Sequence, residues 1–83
     1  MAAKYLDFCI MPRDPKKKTD SWEVRNKEYN TLLGVVKWHG AWRKYSFFVN
    51  GDFIFEEDCL TDIARFLKMQ TKLYRDNKKT EKI

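Results

Sequence analysis

The chain has 83 residues, a formal net charge of +5 and an aromatic content of 16%. This length fits one small domain, and no apolar run reaches the roughly 18–20 residues that a membrane span requires. The first residues lack the apolar core of a secretory signal peptide, so we expect a cytoplasmic protein without contact with a membrane.

Catalytic chemistry has few candidate residues in this sequence. His39 is the single histidine, and Cys9 and Cys59 are the two cysteines. Their spacing matches no usual zinc site, and no nucleophile motif adjoins His39. We therefore expect a protein without enzyme activity, metal or cofactor, whose thiols stay reduced in the cytoplasm. Whether the two cysteines meet is left open.

The chain begins with a predicted strand and a predicted loop. Residues 4–11 alternate between apolar and polar side chains, which indicates a half-buried strand. Residues 12–20 contain two prolines and the triplet Lys16, Lys17 and Lys18. This composition predicts a mobile, solvated basic loop.

The next segment, residues 21–55, predicts an antiparallel meander, since short apolar stretches alternate with turn residues. Gly40-Ala41 is typical of a two-residue type II′ turn and Asn50-Gly51 of a type I′ turn. The second turn predicts a fifth strand over residues 52–55.

Two-residue turns fix the register of the strands and therefore the two faces of the sheet. The first turn sets His39 opposite Trp42, and the second sets Phe47 opposite Ile54. One face is then almost entirely apolar, and we expect the helix to pack there. The other face has a basic end, with Lys37, His39, Trp42 and Lys44. Its opposite end is apolar, with Phe48, Phe53 and Phe55.

Residues 58–76 predict an α-helix with Asp58 as its N-cap, followed by a frayed tail over residues 77–83. Apolar residues recur there at helical spacing, namely Leu60, Ile63, Leu67 and Tyr74. The expected fold is α+β, an antiparallel β-meander of four to five strands packed against one C-terminal α-helix.

Two basic surfaces are candidates for binding nucleic acid. Basic residues interleaved with an aromatic side chain can hold phosphates and stack on a base. This describes Lys37, His39, Trp42 and Lys44 on the sheet, extended by the loop lysines Lys16, Lys17 and Lys18. A second basic row follows one side of the helix: Arg65, Lys68, Lys72 and Arg75. If the helix packs behind the sheet, the two surfaces face different directions, so we treat them as alternatives. Each also has a simpler explanation as an ordinary solvated face.

The apolar patch of Phe48, Phe53 and Phe55 supports a different interpretation, a surface that binds a protein. Either the first strand, with Leu6, Phe8 and Ile10, or a second copy of the chain would cover it. The partner would then be a host or viral protein, and the protein a monomer or a homodimer.

Four segments resemble a family of small phage and prophage proteins: LGVVKW at 33–38, WRKYSFF at 42–48, CL at 59–60 and DIARFL at 62–67. The resemblance covers about residues 22–70. It implies a viral or prophage origin, and therefore the host cytoplasm, but no established activity.

The expected architecture is also similar to the DNA-binding domains of plant ethylene-response factors and to the arms of phage integrases. Those domains read the major groove with the open face of a sheet, which implies the same part here for Lys37, His39, Trp42 and Lys44. We therefore hypothesise a non-enzymatic nucleic-acid-binding protein. The alternative is a protein-binding module or an inhibitor of a host factor.

Overall fold

The computed structural model describes residues 5–81, with side chains up to residue 77. The elements are β1 (Leu6–Ile10), β2 (Trp22–Asn26), β3 (Leu32–His39), β4 (Lys44–Val49) and α1 (Glu57–Glu81). The strands form one antiparallel sheet in the order β1-β2-β3-β4, and α1 packs on one face of it. The predicted α+β fold is therefore confirmed, with four strands.

The predicted fifth strand over residues 52–55 is wrong. A type I′ turn needs positive φ at both central residues, but of Asn50 and Gly51 only the glycine has it, with φ 91°. The N–H of Asn50 instead donates to the carbonyl of Leu33 at 2.8 Å, which closes the β3–β4 ladder. The chain then leaves the sheet, so β4 is an edge strand.

The residues that follow β4 consequently lie elsewhere than predicted. Ile54 was expected under the helix, but its side chain is fully exposed. Phe55 was expected on the opposite face, but it packs edge-on against Phe47, with ring centroids 5.7 Å apart, and joins the core.

The predicted two-residue turn at Gly40-Ala41 is also wrong, because the β3–β4 loop is longer. The N–H of Trp42 donates to the carbonyl of His39 at 3.2 Å, and that of Arg43 to the carbonyl of Gly40 at 3.3 Å. Arg43 adopts a left-handed conformation, with φ 53°. His39 therefore pairs with Lys44 and not with Trp42. This slip of two residues leaves each β4 side chain on its predicted face, because side chains alternate with a period of two.

The core lies between the sheet and the helix. Its buried residues come from every strand and from α1: Leu6, Val24, Leu33, Val36, Tyr45 and Ile63. Aromatic rings extend it, with Phe8 stacked on Phe66 at 4.1 Å and Trp22 edge-on to Tyr45 at 5.5 Å. The first strand therefore packs beneath the helix and does not cover the opposite face of the sheet.

A bulge in β3 explains why Leu33 belongs to this core. Val24 pairs with Gly34 and Arg25 pairs with Leu32, so Leu33 is an extra residue without a partner in β2. An extra residue interrupts the strict alternation of side chains. Leu33 is buried on the helix side as a result, whereas strict alternation along β3 would place it on the same face as Lys37.

The helix begins one residue earlier than predicted and is longer. Glu56, not Asp58, caps it: its carboxylate accepts the N–H groups of Asp58 at 3.1 Å and Cys59 at 2.7 Å. These are among the first N–H groups of the helix, which have no partner within it. The helix continues through residues 77–81 of the predicted tail, while residues 82–83 and Lys4 of the predicted first strand lie outside the described residues.

Candidate nucleic-acid interface

The open face of the sheet, the one opposite α1, carries a cluster of rings and cations on β3 and β4. We call Lys37, His39, Trp42, Lys44 and Phe48 the sheet surface. The rings of His39 and Trp42 meet edge-on at 4.6 Å, and those of His39 and Phe48 at 5.9 Å. The Nζ of Lys37 lies 4.5 Å from the centre of the Phe48 ring, a cation–π contact. The four predicted sheet residues are thus brought together, and Phe48 joins them.

Trp42 is the most accessible ring of the sheet surface. Its side chain is 68% exposed, while Trp22 and Trp38 pack against the core. The loop holds it at the tip of the β3–β4 hairpin, where its ring and that of His39 are nearly perpendicular. An indole that is 68% exposed offers ring surface on which a base or a sugar can stack.

Charge is segregated across the open face. Residues 31–49 contain no Asp or Glu, so the cations of the sheet surface have no acidic neighbour within this hairpin. On β2, Glu23 and Arg25 neutralise each other through an ion pair of 3.3 Å. The β3–β4 half of the face is therefore the half that attracts anions.

A groove runs between β4 and the C-terminal half of α1, and we call it the edge groove. It has a volume of about 520 Å³. Four of its lining residues are cations: Lys44, Lys68, Lys72 and Arg75. Asp76 is the one acid in the lining, and Ala64 and Leu67 contribute apolar surface.

Two hydrogen bonds tie the helix to this end of the sheet. The hydroxyl of Thr71 accepts the N–H of Tyr45 at 3.1 Å, and the guanidinium of Arg75 donates to the carbonyl of Arg43 at 3.1 Å. Burial raises the pKa of Tyr45, and a hydrogen bond with the backbone of Asp20 offsets part of the rise. The phenol thus stays neutral beneath the groove at ordinary pH.

The two basic surfaces, which were expected to face different directions, share one residue. Lys44 belongs to the sheet surface and also lines the edge groove, where it meets Lys68, Lys72 and Arg75. Of the four predicted helix cations only Arg65 is outside this groove, exposed on α1. The two predicted surfaces therefore meet at Lys44, at the edge of the sheet.

The loop lysines Lys16, Lys17 and Lys18 lie elsewhere. Asp14 shapes their loop by accepting the N–H of Lys16 on its carboxylate at 2.9 Å and that of Lys17 on its carbonyl at 2.9 Å. Lys18 lines a second groove, with Trp22 and Tyr74, beneath the face that the helix covers. The predicted extension of the sheet surface by these lysines is therefore not supported by their position.

The predicted apolar patch is not one surface. Phe48 lies on the open face against Lys37 and His39, whereas Phe55 packs against Phe47 on the helix side. Phe53 is 38% exposed in the loop after β4. Exposed apolar side chains gather instead around this loop and the start of the helix, with Val49, Phe53, Ile54 and Leu60.

The cysteines are free, and no group of His, Cys, Asp and Glu within the described residues could hold a metal ion. Cys9 is exposed on β1. Burial, followed by a hydrogen bond and the charge of Glu56, raises the pKa of Cys59 from 9.0 to about 11. The Cys59 thiol is therefore protonated and a poor nucleophile at neutral pH. Within residues 5–81, no helix combines the length and the apolar character needed to cross a membrane.

Sequence reasoning missed Thr71, the residue that fixes the helix against the edge of the sheet. Thr71 is buried, and it lies four residues after Leu67 and eight after Ile63, on the same side of the helix. The helical spacing was therefore a usable signal. Thr71 was missed because the predicted buried face of the helix was defined by apolar residues alone, and threonine is polar.

Comparison with known proteins found one informative relative. No family model matches the chain, and no solved structure matches it. An uncharacterised 9.3 kDa protein of Acholeplasma phage L2 is 33% identical over 66 residues, which cover 80% of this chain and 83% of the relative. This confirms the expectation of a small phage-type protein, while the motif and the likeness to DNA-binding domains stay predictions. The chain belongs to the family of this small phage protein.

Proposed function

We propose that this protein is a non-enzymatic nucleic-acid-binding module that works in the cytoplasm of the host cell. The observation that supports it is the position of Trp42, an exposed indole at the tip of a hairpin with cations and no acid in the same stretch. Stacking on an aromatic ring and neutralisation of phosphates are the two contacts on which sequence-tolerant nucleic-acid binding depends.

Each residue of the sheet surface has a separate part in this proposal. Lys37 and Lys44 neutralise phosphates, which supplies most of the affinity and makes it dependent on salt. Trp42 stacks on a base, and His39 helps to hold the indole in place through its T-shaped ring contact. Phe48 keeps the Lys37 ammonium over its ring, which limits the conformations of that long side chain.

The proposal is tested by fluorescence anisotropy of a labelled oligonucleotide, titrated with the protein at several salt concentrations. Trp42→Ala is expected to weaken binding about 5- to 150-fold, the range for loss of one base–aromatic stack. The double variant Lys37→Gln, Lys44→Gln should flatten the dependence of log affinity on log salt by about 1.4, since each phosphate contact to a single strand contributes about 0.7.

The loop offers a control with the same loss of charge. The double variant Lys16→Gln, Lys17→Gln changes net charge equally but alters residues of the loop between β1 and β2, outside the sheet surface, so it should weaken binding much less. Equal weakening by the two double variants would show that only net charge matters. An affinity that does not change between low and high salt would refute the proposal.

A second candidate function, binding of a protein, is favoured by one observation. Ile54 is fully exposed, and Phe53 before it in the chain and Leu60 in the second turn of the helix are exposed as well. The acids at 56–58 flank this patch, and they complement the net charge of +5 on a second copy of the chain. The candidate is therefore a homodimer. Sedimentation velocity would detect it, and Ile54→Ser should shift a dimer to a monomer. A monomeric wild-type protein at high concentration would exclude this candidate.

A further inference from the structure

The edge groove extends the proposed site beyond the sheet surface. Lys44 is the residue that the two share, since it follows the Trp42 loop in the chain and also lines the groove. The bond from Arg75 to the carbonyl of Arg43 anchors that same loop to the helix. A ligand that leaves Trp42 along β4 therefore meets the groove without crossing an acidic surface.

The composition of the groove points to a phosphodiester chain. Lys68 and Lys72 are exposed on α1 one helical turn apart, on the side that faces the groove. Against four cations the lining has one carboxylate, that of Asp76. The apolar surface of Ala64 and Leu67 suits the faces of sugars and bases that accompany the phosphates of a single strand.

The bend between the two surfaces argues against a duplex. In a duplex the base faces are covered by stacking, so an intact double helix cannot offer one to Trp42. A rigid duplex also touches a protein along one direction, whereas the sheet surface and the edge groove lie on different sides of β4. A flexible single strand can satisfy both.

We propose that the ligand is a single-stranded nucleic acid with one base on Trp42 and its backbone continuing past Lys44 into the edge groove. This inference rests on the proposed function, and it adds the class of nucleic acid and the path of the strand. Lys68 and Lys72 are its new contacts, and they bind phosphates and not bases.

The experiment compares labelled oligothymidylates of about 4 and about 12 nucleotides, which span the site sizes of single-strand-binding domains. The short probe covers the sheet surface, and the long probe also reaches the groove. Lys68→Gln, Lys72→Gln should weaken binding of the long probe about 10-fold at low salt and leave the short probe within about 2-fold. The salt slope for the long probe should fall by about 1.4.

Arg65→Gln, Lys27→Gln is the matched control, with the same loss of charge outside the groove. It should leave the preference for the long probe unchanged. All four positions are exposed, so we expect each variant to fold. Circular dichroism checks this.

The outcomes distinguish a failure of the proposed strand path from a failure of the proposed nucleic-acid binding. If Trp42→Ala weakens binding but the groove variant does not affect the long probe, the path is overturned and the proposed function stands. If a duplex of about 12 base pairs competes as well as the single strand, the single-strand assignment is overturned. If no probe binds, the proposed function itself fails.

Discussion

Gly34 is the residue whose replacement tests the packing of the sheet most directly. A Cβ atom built on Gly34 would lie 2.6 Å from a ring carbon of Phe47 and still closer to the carbonyl oxygen of Phe48. Both neighbours belong to β4, so an added methyl group would push the edge strand away from β3. The backbone oxygen cannot move without disturbing the β3–β4 ladder, whereas a flexible side chain could rotate.

The expected cost follows from these contacts. Overpacking of this kind destabilises by about 1–3 kcal/mol, and a backbone clash belongs at the upper end. The substitution also recovers about 0.5–1 kcal/mol of stability, because glycine loses more conformational entropy than alanine when it folds into a strand. The net loss for Gly34→Ala is therefore about 2 kcal/mol, which lowers Tm by about 8–16 °C in a domain of this size.

Thermal unfolding followed by circular dichroism measures this loss. Gly40→Ala is the matched control, because a Cβ at Gly40 meets nothing within 4 Å. It should change the free energy of unfolding by no more than about 1 kcal/mol. If Gly34→Ala melted within about 2 °C of the wild type, the close approach of β3 and β4 at this point would be wrong.

Three further predictions concern the helix. Thr71→Val removes the buried acceptor of the Tyr45 N–H and should cost about 1–3 kcal/mol in urea unfolding, whereas Thr71→Ser should retain most of the stability; equal losses would contradict the hydrogen bond. Glu56→Ala removes the N-cap and should cost about 1 kcal/mol, with Glu57→Ala as a nearly neutral control, and a reversed order would place the cap elsewhere. Because the pKa of Cys59 is raised to about 11, an alkylating reagent at pH 8 should modify Cys59 about 100-fold more slowly than an ordinary cysteine. The exposed Cys9 should react in a separate fast phase. Cys9→Ser should abolish the fast phase, and a fast phase that persists would refute the assignment. The same shift predicts a contribution to stability that is complete below pH 9 and is lost as the pH rises toward 11.

The faces of the sheet could be predicted although the turns could not. The loop Gly40–Arg43 is two residues longer than the predicted turn. An even slip preserves the side to which each residue points, so Lys37, His39 and Phe48 lie on the face expected for them. An error of one residue would have exchanged the two faces.

The position of Leu33 could not be predicted from alternation. Alternation fails wherever a strand contains an extra residue, and the bulge opposite Val24 and Arg25 depends on pairing with β2. The isolated Gly34 in β3 is a local signal for a bulge, but it does not identify Leu33 as the extra residue. The N-cap of the helix could not be predicted either. Glu56 and Asp58 are both acids at the start of the helix, and only the backbone conformation decides which carboxylate reaches the first N–H groups.

The edge groove exists because β4 is the edge of the sheet. An edge strand presents backbone N–H groups that no neighbouring strand takes. Thr71 accepts the outward N–H of Tyr45 in place of such a strand. The same contact brings Lys68, Lys72 and Arg75 beside Lys44. The two basic surfaces were treated as alternatives because the sequence does not show that Lys44 lies beside the helix cations. That proximity depends on the hydrogen bond between Thr71 and Tyr45, a contact between residues 26 positions apart in the chain.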